Sequence, residues 1–145
     1  MTTEQEHDEA LTPWLTIAKK ERGVKEVVGM NDNPRIIEYH SVTTLRGTED
    51  EIPWCSSFVC WCLQQAGYKH TKSAAAKSYL DYGLPCEMTI GSIAVLTRKG
   101  GNHVGFVVAW DDHTVTLLGG NQSDQVKTQQ YPLSRVQATR WPVKA

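Results

Sequence analysis

The spacing of apolar residues changes near Gly91, and this change constrains the fold more than any other feature of the 145-residue sequence. Before Gly91, proline and glycine residues frame segments with helical spacing. After it, short runs rich in Val, Ile, Leu and Thr are separated by turn residues, which is typical of strands. Short connections between strands indicate antiparallel pairing. We therefore predict an α+β fold, with a helical first half packed on an antiparallel sheet of about five strands.

Four helices are predicted in the first half. Thr12-Pro13 and Asn33-Pro34 each place proline at the first helical position, and Gly23 ends the first helix. The two further helices and the five strands follow from apolar periodicity and from the flanking turn residues. The helices are Trp54 to Ala66 and Ser73 to Tyr82; the strands are Ser92 to Thr97, His103 to Trp110, Thr114 to Leu118, Val126 to Tyr131 and Ala138 to Val143.

Length and composition bound the possible function. We expect one domain over residues 12–145, preceded by a polar tail over residues 1–11. The net charge of −1 provides no overall field for nucleic acid, and no apolar run approaches the roughly 18 residues of a membrane span. The acidic start does not resemble a secretory signal, so we expect synthesis in the cytoplasm. The protein is expected to be a monomer.

Three of the four cysteines lie within eight residues, but their spacing does not fit a metal site. Cys55, Cys60 and Cys62 are separated by four residues and by one, whereas zinc sites use a C-x2-C pair with a second ligand pair. On a helix, Cys55 and Cys62 lie about 10 Å apart along the axis, too far for a disulfide. We therefore expect no metal and no cofactor, and we interpret Cys60, Cys62 and Cys86 as core residues.

Cys55 lies in the first turn of the third predicted helix, in the segment Pro53-Trp54-Cys55-Ser56-Ser57-Phe58-Val59. Free backbone N–H groups and the helix dipole at that position favour a thiolate, and we expect them to lower the cysteine pKa by about one unit. A nearby histidine is needed for a larger effect. Cys55 is therefore a candidate nucleophile that requires a base.

His103 is the best candidate for that base. It opens the most apolar strand, directly after a glycine pair, and the first residue of a strand lies at the rim of the sheet. His7 lies in the polar tail and His113 at a predicted hairpin tip, while His40 and His70 are interpreted as solvated.

A third residue would orient the imidazole ring, and Asn121 is the candidate. If residues 111–113 form the hairpin loop, Trp110 pairs with Thr114 and His103 lies opposite Asn121. If only residues 111 and 112 turn, His103 faces Gly120 instead. The sequence permits Asn121 in this role without requiring it, and a turn-forming asparagine is the alternative.

These segments together resemble the CHAP and NlpC group of papain-like cysteine peptidoglycan hydrolases. The chain is most similar to small phage-type lysis proteins that carry a Pro-Trp-Cys-Ser-x-Phe-Val segment. The supporting segments include Asn33-Pro34-Arg35-Ile36, His103-Val104-Gly105 and Gly119-Gly120-Asn121-Gln122. The resemblance implies that Cys55 attacks an amide carbonyl, His103 activates the thiol, and Asn121 holds the ring. The Cys55 backbone N–H is expected to bind the oxyanion, with Tyr39 as a possible second donor.

The resemblance also implies a substrate and a setting. The expected substrate is the stem peptide of peptidoglycan, cut in the bacterial periplasm or cell wall after release as a phage endolysin or injection as an antibacterial effector. An effector would be countered by an immunity or inhibitor protein. The alternatives are a cysteine protease or acyltransferase acting on a non-wall acyl substrate, a thiol redox protein, and a non-enzymatic binding module.

Overall fold

A computed structural model describes residues 11–27, 33–44 and 53–145. Three of the predicted helices are present: α1 (Pro13–Lys20), α2 (Pro34–Ser41) and α3 (Cys55–Gln65). Proline occupies the start of both α1 and α2, as predicted. The Asn33 side chain accepts a hydrogen bond from the backbone N–H of Arg35, which satisfies a donor left free at the helix start. Local capping signals thus located these helices correctly.

The fourth predicted helix, Ser73 to Tyr82, is wrong. This segment contains only one 3-10 turn, Ala76–Tyr79. The Ser56 hydroxyl of α3 donates to the carbonyl of Ser73 at 2.7 Å, and the Ser73 hydroxyl accepts from the backbone N–H of Ala75. Polar groups at the start of the segment therefore bond to α3 and to a local turn, in competition with a continuous helix.

In the part of the chain that the structure describes, the sheet is antiparallel and has six strands. All five predicted strands are present, with bounds that differ by at most four residues, and the two-residue strand at Leu84–Pro85 was not predicted. The strands are β1 (Leu84–Pro85), β2 (Ile93–Arg98), β3 (Gly101–Trp110), β4 (Thr114–Gln122), β5 (Gln125–Pro132) and β6 (Val136–Trp141). Their order is β1-β6-β2-β3-β4-β5, so the last strand returns to pair with β2. The α+β class and the papain-like architecture are confirmed.

Helix α3 packs against β3 and β4 and forms the centre of the main core. Strand β2 is buried on both faces: Ile93 and Val95 contribute to the core shared with the helices, and Ala94 and Leu96 to a second cluster on the opposite face. At the other end of the core, the Trp14 indole of α1 donates to the carbonyl of Gly91 at 2.8 Å. This bond therefore connects α1 to the segment just before β2.

The β3–β4 loop spans residues 111–113, as in the first of the two predicted hairpins. Trp110 nevertheless pairs with Val115 and not with Thr114, because the Asp111 backbone N–H donates to the carbonyl of Thr114 at 2.9 Å. A bulge between Val107 and Ala109 then shifts the pairing by one residue, so that Val107 pairs with Leu117 and Phe106 with Leu118, the offset that the three-residue loop predicted. The half of β3 that carries His103 extends beyond this pairing.

The proposed division into a tail over 1–11 and a domain over 12–145 stays a prediction, because residues 1–10 lie outside the described part. Within the described ranges, no helix has both the length and the apolar character that a membrane crossing requires.

Candidate active site

Cys55 is the first residue of α3, as predicted, and the residue before it fixes the helix start. Trp54 is fully buried; its indole N–H donates to a Glu26 carboxylate oxygen at 2.7 Å, and its ring stacks on Tyr39. Gly120 of β4 lies against the same ring, where an added Cβ would approach a Trp54 ring carbon to 2.7 Å. The nucleophile candidate is therefore attached to a residue held from three sides.

The surroundings of the Cys55 sulfur overturn the expected direction of its pKa. The thiol is only 3% exposed, and burial raises the pKa above that of an ordinary cysteine. Backbone N–H groups of Val104, Ser56 and Cys55 itself, together with the positive charge of Arg98, act in the opposite direction without outweighing burial. In the substrate-free protein the thiol is neutral.

His103 is also buried, and its chain neighbour acts on the thiol. The Val104 backbone N–H favours the charged form of the Cys55 sulfur, so the residue that follows His103 lies near the thiol. Burial lowers the pKa of His103 to about 4; the hydrogen bond to Gln122 opposes this change, and the charges of Arg98 and Arg135 reinforce it. Both members of the candidate pair are therefore neutral near pH 7.

The ring of His103 is held by Gln122, not by Asn121. His103 Nε2 lies 2.9 Å from Gln122 Oε1, and the Tyr131 hydroxyl donates to the same oxygen at 2.9 Å. Burial raises the pKa of Tyr131 to about 12, so this hydroxyl stays protonated. The side chain of Asn121 makes no hydrogen bond within the described residues.

The hydrogen bonds of Gln122 determine which nitrogen of His103 carries the proton. Its amide nitrogen donates to the carbonyls of Leu117 at 3.2 Å and Lys127 at 2.6 Å. With the NH₂ group committed to two carbonyls, Gln122 presents Oε1 to the ring, and an oxygen can only accept, so the tautomer that satisfies this contact carries its proton on Nε2. The Tyr131 hydroxyl oxygen lies 3.2 Å from the same nitrogen. The remaining nitrogen, Nδ1, then carries a lone pair and can accept a proton from a thiol.

Asn121 contributes through its backbone. Its φ of 57° lies in the left-handed region, which asparagine tolerates better than most residues. The β4–β5 register shifts between Gly119 and Gln122, so the strand bulges at this point. The bulge turns the buried side chain of Gln122 toward His103. A register count alone does not identify Gln122, although it belongs to the segment Gly119-Gly120-Asn121-Gln122 that supports the family resemblance.

Two secondary expectations are also wrong. The Tyr39 hydroxyl cannot serve the oxyanion, because Tyr39 is fully buried and donates to a Glu21 carboxylate oxygen at 2.8 Å. His40 is not solvated: it is fully buried, and its Nδ1 lies 2.8 Å from the Ser57 hydroxyl oxygen.

The other cysteines occupy different environments from Cys55. Cys60 and Cys62 are fully buried in the core, as predicted, and the Cys60 sulfur lies 3.0 Å from the Tyr79 hydroxyl oxygen. Cys86 follows β1 and is partly exposed, which corrects its assignment to the core. All four thiols are free.

A cleft of about 300 Å³ opens beside Cys55. One wall is the segment around the 3-10 turn, including Lys77; the other is the β2–β3 turn, including Arg98 and Asn102. Both cationic side chains are exposed. A peptide-sized group can therefore approach the nucleophile candidate between two positive charges.

Burial of a neutral His103 makes stability depend on pH. In the unfolded chain, His103 binds a proton as the pH falls through about 6.5. In the folded chain, it stays neutral until the pH reaches about 4. The contribution of His103 to the free energy of unfolding is thus complete above about pH 6.5. It is lost as the pH falls toward 4, and the total loss is about 3 kcal/mol. Chemical denaturation between pH 7 and 4 measures this loss.

His103→Gln should flatten that pH dependence, whereas His113→Gln, at the exposed hairpin tip, should leave it as in the wild type. If the free energy of unfolding falls equally steeply with pH in the wild type and in His103→Gln, the buried ring of His103 is not neutral.

The sequence matches a known protein family. A sequence profile of the CHAP domain matches residues 47–121, just over half of the chain. The chain belongs to the CHAP domain family. The match contains Cys55 and His103 and ends one residue before Gln122. No curated protein matches the chain.

CHAP domains are in general hydrolases of the cysteine amidase type that act on peptidoglycan. Membership therefore indicates an amidase or endopeptidase with a peptidoglycan substrate. The resemblance inferred from the sequence is thereby confirmed at the level of the family.

Proposed function

We propose that this CHAP protein cleaves an amide bond in the stem peptide of peptidoglycan, with Cys55 as nucleophile and His103 as base. The observation that carries the proposal is the fixed tautomer of His103. Because Gln122 accepts from Nε2–H, the Nδ1 lone pair is available to a thiol on the side away from Gln122. A neutral base paired with a neutral thiol suits attack on an uncharged amide.

In the proposed reaction, Cys55 Sγ attacks the amide carbonyl carbon while its proton passes to His103 Nδ1. The Cys55 backbone N–H stabilises the oxyanion. The tetrahedral intermediate collapses when the imidazolium gives the proton to the leaving amine, which leaves a thioester on Cys55. His103 then takes a proton from water as the water oxygen attacks the thioester carbon. The C–S bond breaks, the Cys55 sulfur regains that proton from His103, and the carboxylic acid product is released.

During each imidazolium stage Gln122 has a positioning role. Its Oε1 accepts from Nε2–H and stabilises the positive ring, and the two carbonyl bonds of its amide prevent it from rotating away. Tyr131 donates to the same oxygen and fixes the amide further. We therefore assign the orienting role to Gln122 in place of Asn121.

Replacement of Gln122 by alanine should lower kcat by roughly 10- to 10³-fold with little change in KM, since the ring loses its orientation and not its substrate contacts. Asn121→Gly is the matched control: it retains the left-handed backbone, removes the side chain, and should keep activity within about threefold. Steady-state kinetics on purified wall measure both. If Asn121→Gly lowers kcat more than Gln122→Ala does, Asn121 and not Gln122 orients the His103 ring.

The bond type is tested by mass spectrometry of digested cell wall. We expect new amines on stem peptides, because a thiol nucleophile attacks an acyl carbon and glycan cleavage normally requires a pair of carboxylates. New reducing sugar ends without new amines would overturn the proposal.

For the biological role, we propose delivery to the wall as a phage endolysin or as an antibacterial secreted effector. The first route is proposed because the segment from Pro53 to Val59 resembles that of phage-type lysis proteins. Genes for a membrane pore beside this one would favour an endolysin, and a neighbouring gene whose product binds and inhibits the enzyme would favour an effector.

A further inference from the structure

The walls of the cleft beside Cys55 carry positive charge that the described residues do not neutralise. Arg98, at the end of β2, and Lys77, in the 3-10 turn, belong to opposite walls. The ion pairs found in residues 11–27, 33–44 and 53–145 all involve Arg35, so neither cleft cation has a carboxylate partner there.

A third cation, Arg135, is bonded to the residue that precedes Arg98. Arg135 donates through Nε to the carbonyl of Thr97 at 2.7 Å, and its guanidinium lies 5.3 Å from the centre of the Tyr131 ring. Its position is therefore fixed by the sheet, whereas Arg98 and Lys77 extend from exposed positions. The cleft residues contribute no carboxylate of their own.

This charge lies close enough to act on the candidate catalytic pair. Arg98 lowers the pKa of both Cys55 and His103, which means that its guanidinium is within electrostatic reach of the thiol and the imidazole. A ligand group that binds Arg98 would thus lie beside the bond to be cut.

We propose that the Arg98–Lys77 cleft binds a free carboxylate of the stem peptide and thereby selects substrates whose carboxyl group is not amidated. The inference rests on the proposed function and names the feature of the substrate that the site recognises. A guanidinium can bind a carboxylate through two parallel hydrogen bonds, and the lysine on the facing wall adds a second positive charge. An amidated group offers neither the negative charge nor the second acceptor.

The test uses soluble muropeptides with their amines acetylated, in two forms: with free carboxylates, and with the carboxylates converted to primary amides. Acetylation ensures that only new amines are counted. The wild-type enzyme should show a kcat/KM roughly tenfold or more higher on the free acids, and this preference should shrink as salt is added.

The double variant Arg98→Gln, Lys77→Gln should reduce the preference to about twofold or less. Arg98→Lys should retain part of it, because the charge remains while the two-point contact is lost. Lys20→Gln, an exposed cation at the end of α1, is the matched control and should keep the wild-type ratio. Thermal midpoints close to wild type would show that these surface changes leave the fold intact.

Each result has one consequence. Equal cleavage of both forms by the wild type, or an unchanged preference in the double variant, would overturn the carboxylate site while leaving amide hydrolysis in place. Cleavage of neither form, with no new amines from intact wall, would remove the proposed function and this inference together.

Discussion

Replacing Cys55 by alanine is expected to abolish wall hydrolysis, with a loss of at least about 10⁴-fold in kcat. Without the sulfur no thioester can form, and the remaining groups only bind substrate and stabilise the oxyanion. The fold should survive, because the change removes one buried atom from a residue held by Trp54 and by the rest of α3. Amine release from purified wall and the thermal midpoint measure the two effects separately.

Cys86→Ala is the matched control for that experiment. Cys86 is also a free thiol, but it is partly exposed, follows β1, and lies outside the residues that line the cleft. Its loss should leave kcat close to the wild type. Near wild-type hydrolysis in Cys55→Ala would refute the nucleophile assignment, and equal losses in both variants would point to a thiol effect unrelated to the cleft.

Replacing His103 by alanine is expected to lower kcat to within about tenfold of the Cys55→Ala value. The two residues act as one unit: a neutral buried thiol is a poor nucleophile until a base removes its proton, so either loss stops the same step. Removal of a buried ring can also destabilise the core. His103→Gln, which retains much of the side-chain volume, therefore accompanies it.

Kinetics at several pH values separate a catalytic role from a structural one. With the pKa of His103 lowered to about 4, kcat/KM of the wild type should be nearly flat from about pH 5 to 7. Any residual activity of His103→Gln should instead rise with pH as more thiolate forms. A His103→Gln enzyme with wild-type kcat and the same flat profile would exclude His103 as the base.

The sequence by itself determined the elements of the fold, since their signals are local. Proline after a capping residue starts α1 and α2 whatever the rest of the chain does, and the alternation of β-branched residues with turns produced all five long strands. Cys55 at a helix start and His103 in an apolar strand could be located for the same reason. The family followed from those segments and matched the profile of the CHAP domain.

Only the tertiary structure decided which side chains meet. The segment from Ser73 to Tyr82 has helical composition, yet the Ser56 hydroxyl binds the carbonyl of Ser73 and a single 3-10 turn results. The same holds for the residue that orients His103, because a bulge beside Asn121 shifts the strand and Gln122 faces the ring. A shift of one residue moves a side chain to the other face of a sheet, and its cause lies in contacts between strands.

The charge states of the pair also depended on the tertiary structure. A helix start favours a thiolate, and the sequence indicated no more than that. Packing of α3 against β3 buries Cys55 to 3% exposure, and the cost of charging a buried sulfur outweighs the helix dipole and the surrounding N–H groups. The cleft also depends on the tertiary structure. Arg98 and Lys77 are 21 positions apart in the sequence, and the fold places both beside Cys55, on opposite walls of the cleft.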